Sequence, residues 1–161
     1  MDQGGVTVPF YSLEGTAWVK MTGDKADNTF FWQNTVAQFR YDNSDKLNFC
    51  EGLGTTWDGA SDIQSAADLV ANDTWAHVAA VYDSSDDGRK LYLNGAVVAT
   101  DTSNITGSQA SPYTEMLLGS ESVGPGKILD GSLAQVILYQ GALSDGQIID
   151  NYNKTKARFG H

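Results

Sequence analysis

Residues 74–100 read TWAHVAAVYDSSDDGRKLYLNGAVVAT, and the fold is decided inside them. Asn94-Gly95 is the pair preferred in a two-residue type I′ turn, because both central positions need a positive φ. The flanks alternate as a hairpin requires, with Leu91 and Leu93 on one face and Lys90, Tyr92 and Asn94 on the other. Upstream, residues 75–82 (WAHVAAVY) are apolar on both faces in their middle, which suits a central strand of a packed two-sheet sandwich. Between the two lies DSSDDG, a run of turn formers.

Moving outward, further short runs rich in Val, Thr and aromatics are bounded by Gly, Asn, Asp and Ser. Strands are predicted at residues 6–11, 16–21, 29–33, 35–41, 46–50, 75–82, 89–94, 96–101, 114–119 and 133–139. Residues 133–139 (LAQVILY) are apolar on both faces and read as a second central strand. Residues 51–74 are the least regular and read as long loops around at most one weak strand. Residues 120–130 read as a Gly/Pro-punctuated connection with a short strand at best.

One helix closes the chain, over about 144–158. Ser144 with Gln147 makes a capping box, and Leu143 with Ile148 a hydrophobic staple. Ile148, Tyr152, Thr155 and Phe159 form one stripe. Lys154, Lys156 and Arg158 suit the C-terminal dipole, and Gly160 is placed to stop the helix. Such a helix should dock on the outside of the sandwich. The fold class predicted is all-β, a two-sheet antiparallel jelly-roll sandwich with one C-terminal helix, residues 1–161 forming a single domain.

Composition narrows the function. The chain has 161 residues, ten Lys plus Arg against twenty Asp plus Glu, and a net charge of −10. That sign repels phosphate backbones and anionic lipid, so neither nucleic acid nor membrane insertion is an expected partner. No apolar run approaches the roughly 18 residues of a membrane span. The start, MDQGGVTVPF, lacks the basic and apolar regions of a secretory signal. Only four of the acids are Glu (Glu14, Glu51, Glu115, Glu121), and the Asp excess goes with turns and oxygen-ligand sites. Cys50 is the single cysteine, so no internal disulfide forms; it reads as a small core hydrophobe.

Residues 74–100 closely resemble the centre of laminin-G-like domains of the concanavalin A-like superfamily, with their W-x-H-V-A…Y-D block and K-L-Y-hydrophobic-N-G hairpin. Residues 129–153 (LDGSLAQVILYQGALSDGQIIDNYN) are similar to the last strand and helix start of those domains, and GTAWVK at 15–20 to an early strand. The tail NYNKTKARFG is similar to tails in virus-encoded structural proteins. The resemblance implies a jelly roll. It also exposes a departure, because an acidic pair common in the family's last strand is replaced here by Gly131-Ser132-Leu133-Ala134-Gln135-Val136.

Hydrolases of that superfamily carry both carboxylates on one strand as E-x-D-x-E or E-x-D-x-x-E, and none of the four Glu begins such a motif. A polysaccharide hydrolase or lyase is therefore the least expected function, and no catalytic residues are assigned. His77 reads as a hydrogen-bonded structural histidine, and no Ser-His-Asp, zinc or phosphate-loop motif occurs. Asp58 and Asp62, in WDGASD, are candidate Ca²⁺ ligands; Asp24, Asp27, Asp83, Asp86 and Asp87 also lie in Asp-rich loops, of which the 83–88 loop is read first as a solvated hairpin turn. Trp18 and Trp75 read as core. Trp57, among turn residues beside Asp58, reads either as a sugar platform or as a loop anchor.

The expected glycan site is Trp57, Asp58, Asp62 and Tyr113, with Trp32 and Tyr41 as further candidates. The function expected is a non-catalytic, glycan-binding recognition module displayed on a virion or cell surface. The alternative is a decoration protein that associates with a protein shell or fibre, or with itself as a homo-oligomer.

Overall fold

The alternation of the sequence becomes two five-stranded antiparallel sheets and one helix in the computed structural model, which describes residues 13–22, 28–33, 37–51, 62–83, 88–102, 116–121 and 127–161. The first sheet runs β10-β1-β6-β7-β8, with β1 Leu13–Met21, β6 Ala76–Asp83, β7 Gly88–Leu93, β8 Ala96–Asp101 and β10 Gly131–Gln140. The second runs β5-β4-β3-β2-β9, with β2 Asn28–Gln33, β3 Ala37–Tyr41, β4 Lys46–Glu51, β5 Asp62–Ala67 and β9 Met116–Leu118. The sheets stack as in a jelly-roll sandwich.

The inter-sheet core follows the period of two. From the first sheet, Ala17, Val19, Met21, Val78, Ala80 and Leu91 point inward. From the second come Phe31, Phe39, Phe49 and Ile63, partners across four strands. A register shift between Thr29 and Phe31 lets two successive side chains, Phe30 and Phe31, both reach this core and meet Phe39 edge-on. Space is tight. A Cβ on Gly15 would stand 2.8 Å from the Phe31 ring, and one on Gly131 would overlap the Lys20 carbonyl. Tyr41 belongs to this core and is fully buried, which pushes its phenol up to about 12 and removes it from the candidate ligand surface.

The predicted hairpin forms at Asn94-Gly95, with φ of 51° and 80°. The strand at 75–82 is central, as β6. Residues 133–139 are not: among the described residues β10 pairs only with β1 and is an edge. Its apolar residues are therefore not all covered, and Ile137 is exposed. Among the described residues of 51–74, β5 forms beyond the last residue of β4. Among those of 120–130 the pairing is a single bridge, Ser120↔Ile128. The segment 6–11 lies outside the described residues.

Helix α1, Asp145–Thr155, continues as a 3₁₀ turn, Lys156–Phe159, and ends at Gly160 in the left-handed region. The capping box is made on both arms. The helix covers the outer face of the first sheet, where Ile148 packs with Ala79, Val81, Tyr92 and Leu143.

This corrects the placement of two tryptophans. Trp18 and Trp75 do not lie between the sheets. Trp18 points outward under the helix, stacks on Phe159 at 4.3 Å and donates its indole N–H to Thr155 Oγ1 at 2.9 Å. Trp75 is half-buried against the same Phe159. A strand buried on both faces gives no sequence cue to which face is the core.

Candidate functional site

With the aromatic residues of the second sheet turned inward, the alternate positions face out, and they are polar. Cα pairing sets Asp62, Cys50, Gln38, Trp32 and Leu117 in one row across β5, β4, β3, β2 and β9. A second row holds Gln64, Asn48, Arg40 and Thr29. Hydrogen bonds tie the rows together. Gln38 Nε2 donates to Thr29 Oγ1 at 3.3 Å and to Glu121 Oε2 at 3.1 Å, and Glu121 also meets Lys127 Nζ at 3.3 Å. Asn48 Nδ2 donates to Asp62 Oδ2 at 3.3 Å.

Three features make this face more than a wetted sheet surface. Gln38, Asn48 and Thr29 are buried although polar, so they are held by partners rather than by bulk water. Asn48 Oδ1 is buried without a hydrogen-bond partner, which leaves an acceptor whose desolvation is uncompensated. Trp32 is half-buried and no aromatic ring stacks on it among the described residues. An indole beside an amide that is itself bound to a carboxylate suits the alternating C–H and O–H faces of a sugar ring.

Cys50 lies in the same row, not in the inter-sheet core as its alternation suggested. Burial, then the Asp62 carboxylate, pushes its thiol well above the usual range, and its Sγ sits 3.8 Å from Gln38 Oε1. The group is a protonated filler, not a nucleophile.

Of the sequence-predicted site, the structure places Asp62 on this face, and Trp32 in line with it. Trp57, Asp58 and Tyr113 lie outside the described residues. Their flanks are informative. The backbones of Gln33, Ala37, Glu51, Asp62 and Met116 fall at one end of the second sheet. The described chain thus stops at Gln33 and Glu51 and resumes at Ala37, Asp62 and Met116 at the end of the sheet that carries the Trp32 row. Asp24, Asp27, Asp86 and Asp87 also lie outside the described residues. Among the described residues no three His, Cys, Asp or Glu side chains come together as a metal site.

Gln38, Asn48, Arg40 and Glu121 were missed as site residues. The first three were visible as the polar half of AQFRY and KLNFC; what the sequence did not show is that this polar half is enclosed. His77 is buried under the helix, edge-on to Trp18 at 5.4 Å. Its Nδ1 has no hydrogen-bond partner, so it is structural through packing rather than through the hydrogen bond expected of it. Burial pushes it down to about 4 and keeps it neutral.

A family model described as the concanavalin A-like lectin/glucanases superfamily, of the laminin-G type, matches residues 11–149. No curated protein matches the chain. Among solved structures, a Ruminococcus gnavus IT-sialidase CBM40 superposes with a TM-score of 0.74 at 17% identity, over 89% of this chain and 83% of that one. The same module bound to α2,3-sialyllactose gives 0.69 at 18% identity, over 88% and 82%. A Bacteroides ovatus protein gives 0.70 at 17% identity over 89% of this chain, which spans only 41% of its length. At such identities these structures show a shared fold. With its two sheets and its helix start inside the matched span, this chain belongs to the concanavalin A-like lectin/glucanase superfamily.

Proposed function

We propose that the protein is a non-catalytic glycan-binding module that holds a sugar on the outer face of its second sheet. The observation that carries this is the row Asp62, Cys50, Gln38, Trp32, Leu117, in which a half-buried indole stands beside the hydrogen-bonded amide of Gln38. Trp32 supplies the stacking face. Asp62 and Glu121, both partly exposed, supply acceptors, and the buried amides of Asn48 and Gln38 hold them in place, so little ordering entropy is lost on binding. Structures of the same fold support this reading: one is a module bound to sialyllactose, and another belongs to a botulinum neurotoxin whose cell entry depends on two ganglioside molecules. Trp57, Asp58 and Tyr113 belong to the same proposed sugar site, on the strength of their sequence reading alone. The same proposal gives Asp58 and Asp62 the role of Ca²⁺ ligands, oxygen donors of the kind that ion takes. Display on a virion or cell surface is part of the same reading.

The test is a glycan array followed by calorimetry on wild type, Trp32→Ala and Trp57→Ala. Loss of the stacking face should weaken binding about tenfold or more. Absence of glycan binding by the wild type, or binding untouched by both substitutions, would remove the proposal.

A further inference from the structure

A cleft of about 590 Å³ opens on the other side of the molecule, between the outer face of the first sheet and the first turn of α1. Its volume lies within the roughly 300–1,000 Å³ typical of small-molecule sites. Val81 and Leu143 line it from the second apolar cluster, which they share with Tyr92 and Ile148. Lys90 and Thr100, cross-strand partners on β7 and β8, form one wall with Thr102. Asp145 forms the opposite wall.

The cleft holds one cation, Lys90, against two carboxylates, Asp83 and Asp145. Lys90 Nζ lies 2.7 Å from Asp145 Oδ1, and Tyr92 donates its hydroxyl to the same oxygen at 2.8 Å. Asp145 is thereby held below the usual carboxylate range and stays ionised. Oδ2 of Asp145 is left without a side-chain partner, and the ammonium keeps two further N–H groups. Asp83 lies on the lining as well. The wall is thus rich in donors and acceptors but carries no excess positive charge, on a chain of net −10. An anionic ligand is disfavoured there. A ligand that is apolar on one side and hydroxylated on the other matches both the lining and the charge.

We propose that this cleft is a second binding site, for a neutral polyhydroxylated ligand of mono- to disaccharide size. It is separate from the Trp32 face and shares no residue with it. Gly146 gives a direct test. It lines the cleft, and a Cβ there would find only Ser144 Oγ, at 3.9 Å. A large side chain at this position can therefore enter the cleft without a backbone clash, and replacing a helical Gly favours the helix.

The experiment is an amide NMR titration of ¹⁵N-labelled protein with glucose, maltose and N-acetylglucosamine, and with glucuronate as the charged counterpart. Saturable shifts are expected at Thr100, Thr102, Gly146 and Gln147 with at least one neutral sugar, and weaker ones with glucuronate. Gly146→Trp should abolish them, Thr100→Val should weaken binding about three- to tenfold, and Trp32→Ala should leave them in place. Three results would each overturn the proposal: no saturable shift in the cleft, cleft shifts that survive both Gly146→Trp and Thr100→Val, or tighter binding of glucuronate than of glucose. Shifts confined to the Trp32 face would overturn it and leave the first site standing.

Discussion

His77 is where a single residue sets a property of the whole. Its ring sits under α1, 2% exposed, between Trp18 and Tyr152, with no charge near it among the groups that move its titration. The folded value is about 4 against 6.5 for the free side chain. Between those two values the unfolded chain binds the proton and the folded chain does not. Stability contributed by neutral His77 is therefore present above about 6.5 and declines as pH falls through the window to about 4. The expected size is about 3 kcal/mol across it. His77→Phe keeps the ring contacts and removes the proton site, so the difference in melting temperature between wild type and variant should grow in the variant's favour from pH 7 to pH 4. A constant difference would show that another group carries the acid sensitivity. The sequence made His77 legible as a structural residue, since it stands in an apolar run. It could not show the missing hydrogen bond, which depends on the helix that folds over it.

Among the elements, the terminal helix is the most legible and the most exacting. Ser144, Gln147, the Leu143–Ile148 staple and Gly160 are local signals, and each is realised. Ser144 Oγ accepts from Gln147 N at 3.3 Å, while Gln147 Oε1 accepts from Ser144 N at 2.8 Å. Ser144→Ala removes one arm of this box and should cost about 1 kcal/mol, seen as a lower urea midpoint with an unchanged slope. The hairpin at Asn94-Gly95 was equally legible for the same reason, being chemistry between neighbours in sequence. The strands of the second sheet could be read, but their shared outward row could not. Asp62 shares a row with Gln38 and Trp32 only through the pairing order β5-β4-β3-β2, and no spacing in the sequence encodes that order. The position of β10 at an edge was lost similarly, because apolar residues on both faces look alike in a central strand and in one beside a docked helix.

At the scale of the molecule the chain is three layers: the polar-faced second sheet, the first sheet with apolar groups on both sides, and the helix. Two apolar clusters result, one between the sheets and one under the helix. Ile148 is the buried residue of α1 and the centre of the outer cluster. Ile148→Ala leaves a cavity there and should cost about 2–5 kcal/mol. The Trp32 row lies on the far side of the first sheet and of the inter-sheet core, and its hydrogen bonds involve no residue of the helix. Sites so separated have nearly additive effects. Ile148→Ala should therefore lower the melting temperature markedly yet leave glycan affinity within about twofold of wild type when both are measured below the transition. Trp32→Ala should do the reverse, with affinity lost and stability little changed. Calorimetry and thermal melts on both variants decide it: a large affinity loss in Ile148→Ala at temperatures where it is fully folded would show that the helix layer shapes the ligand face, and that the two clusters do not act apart.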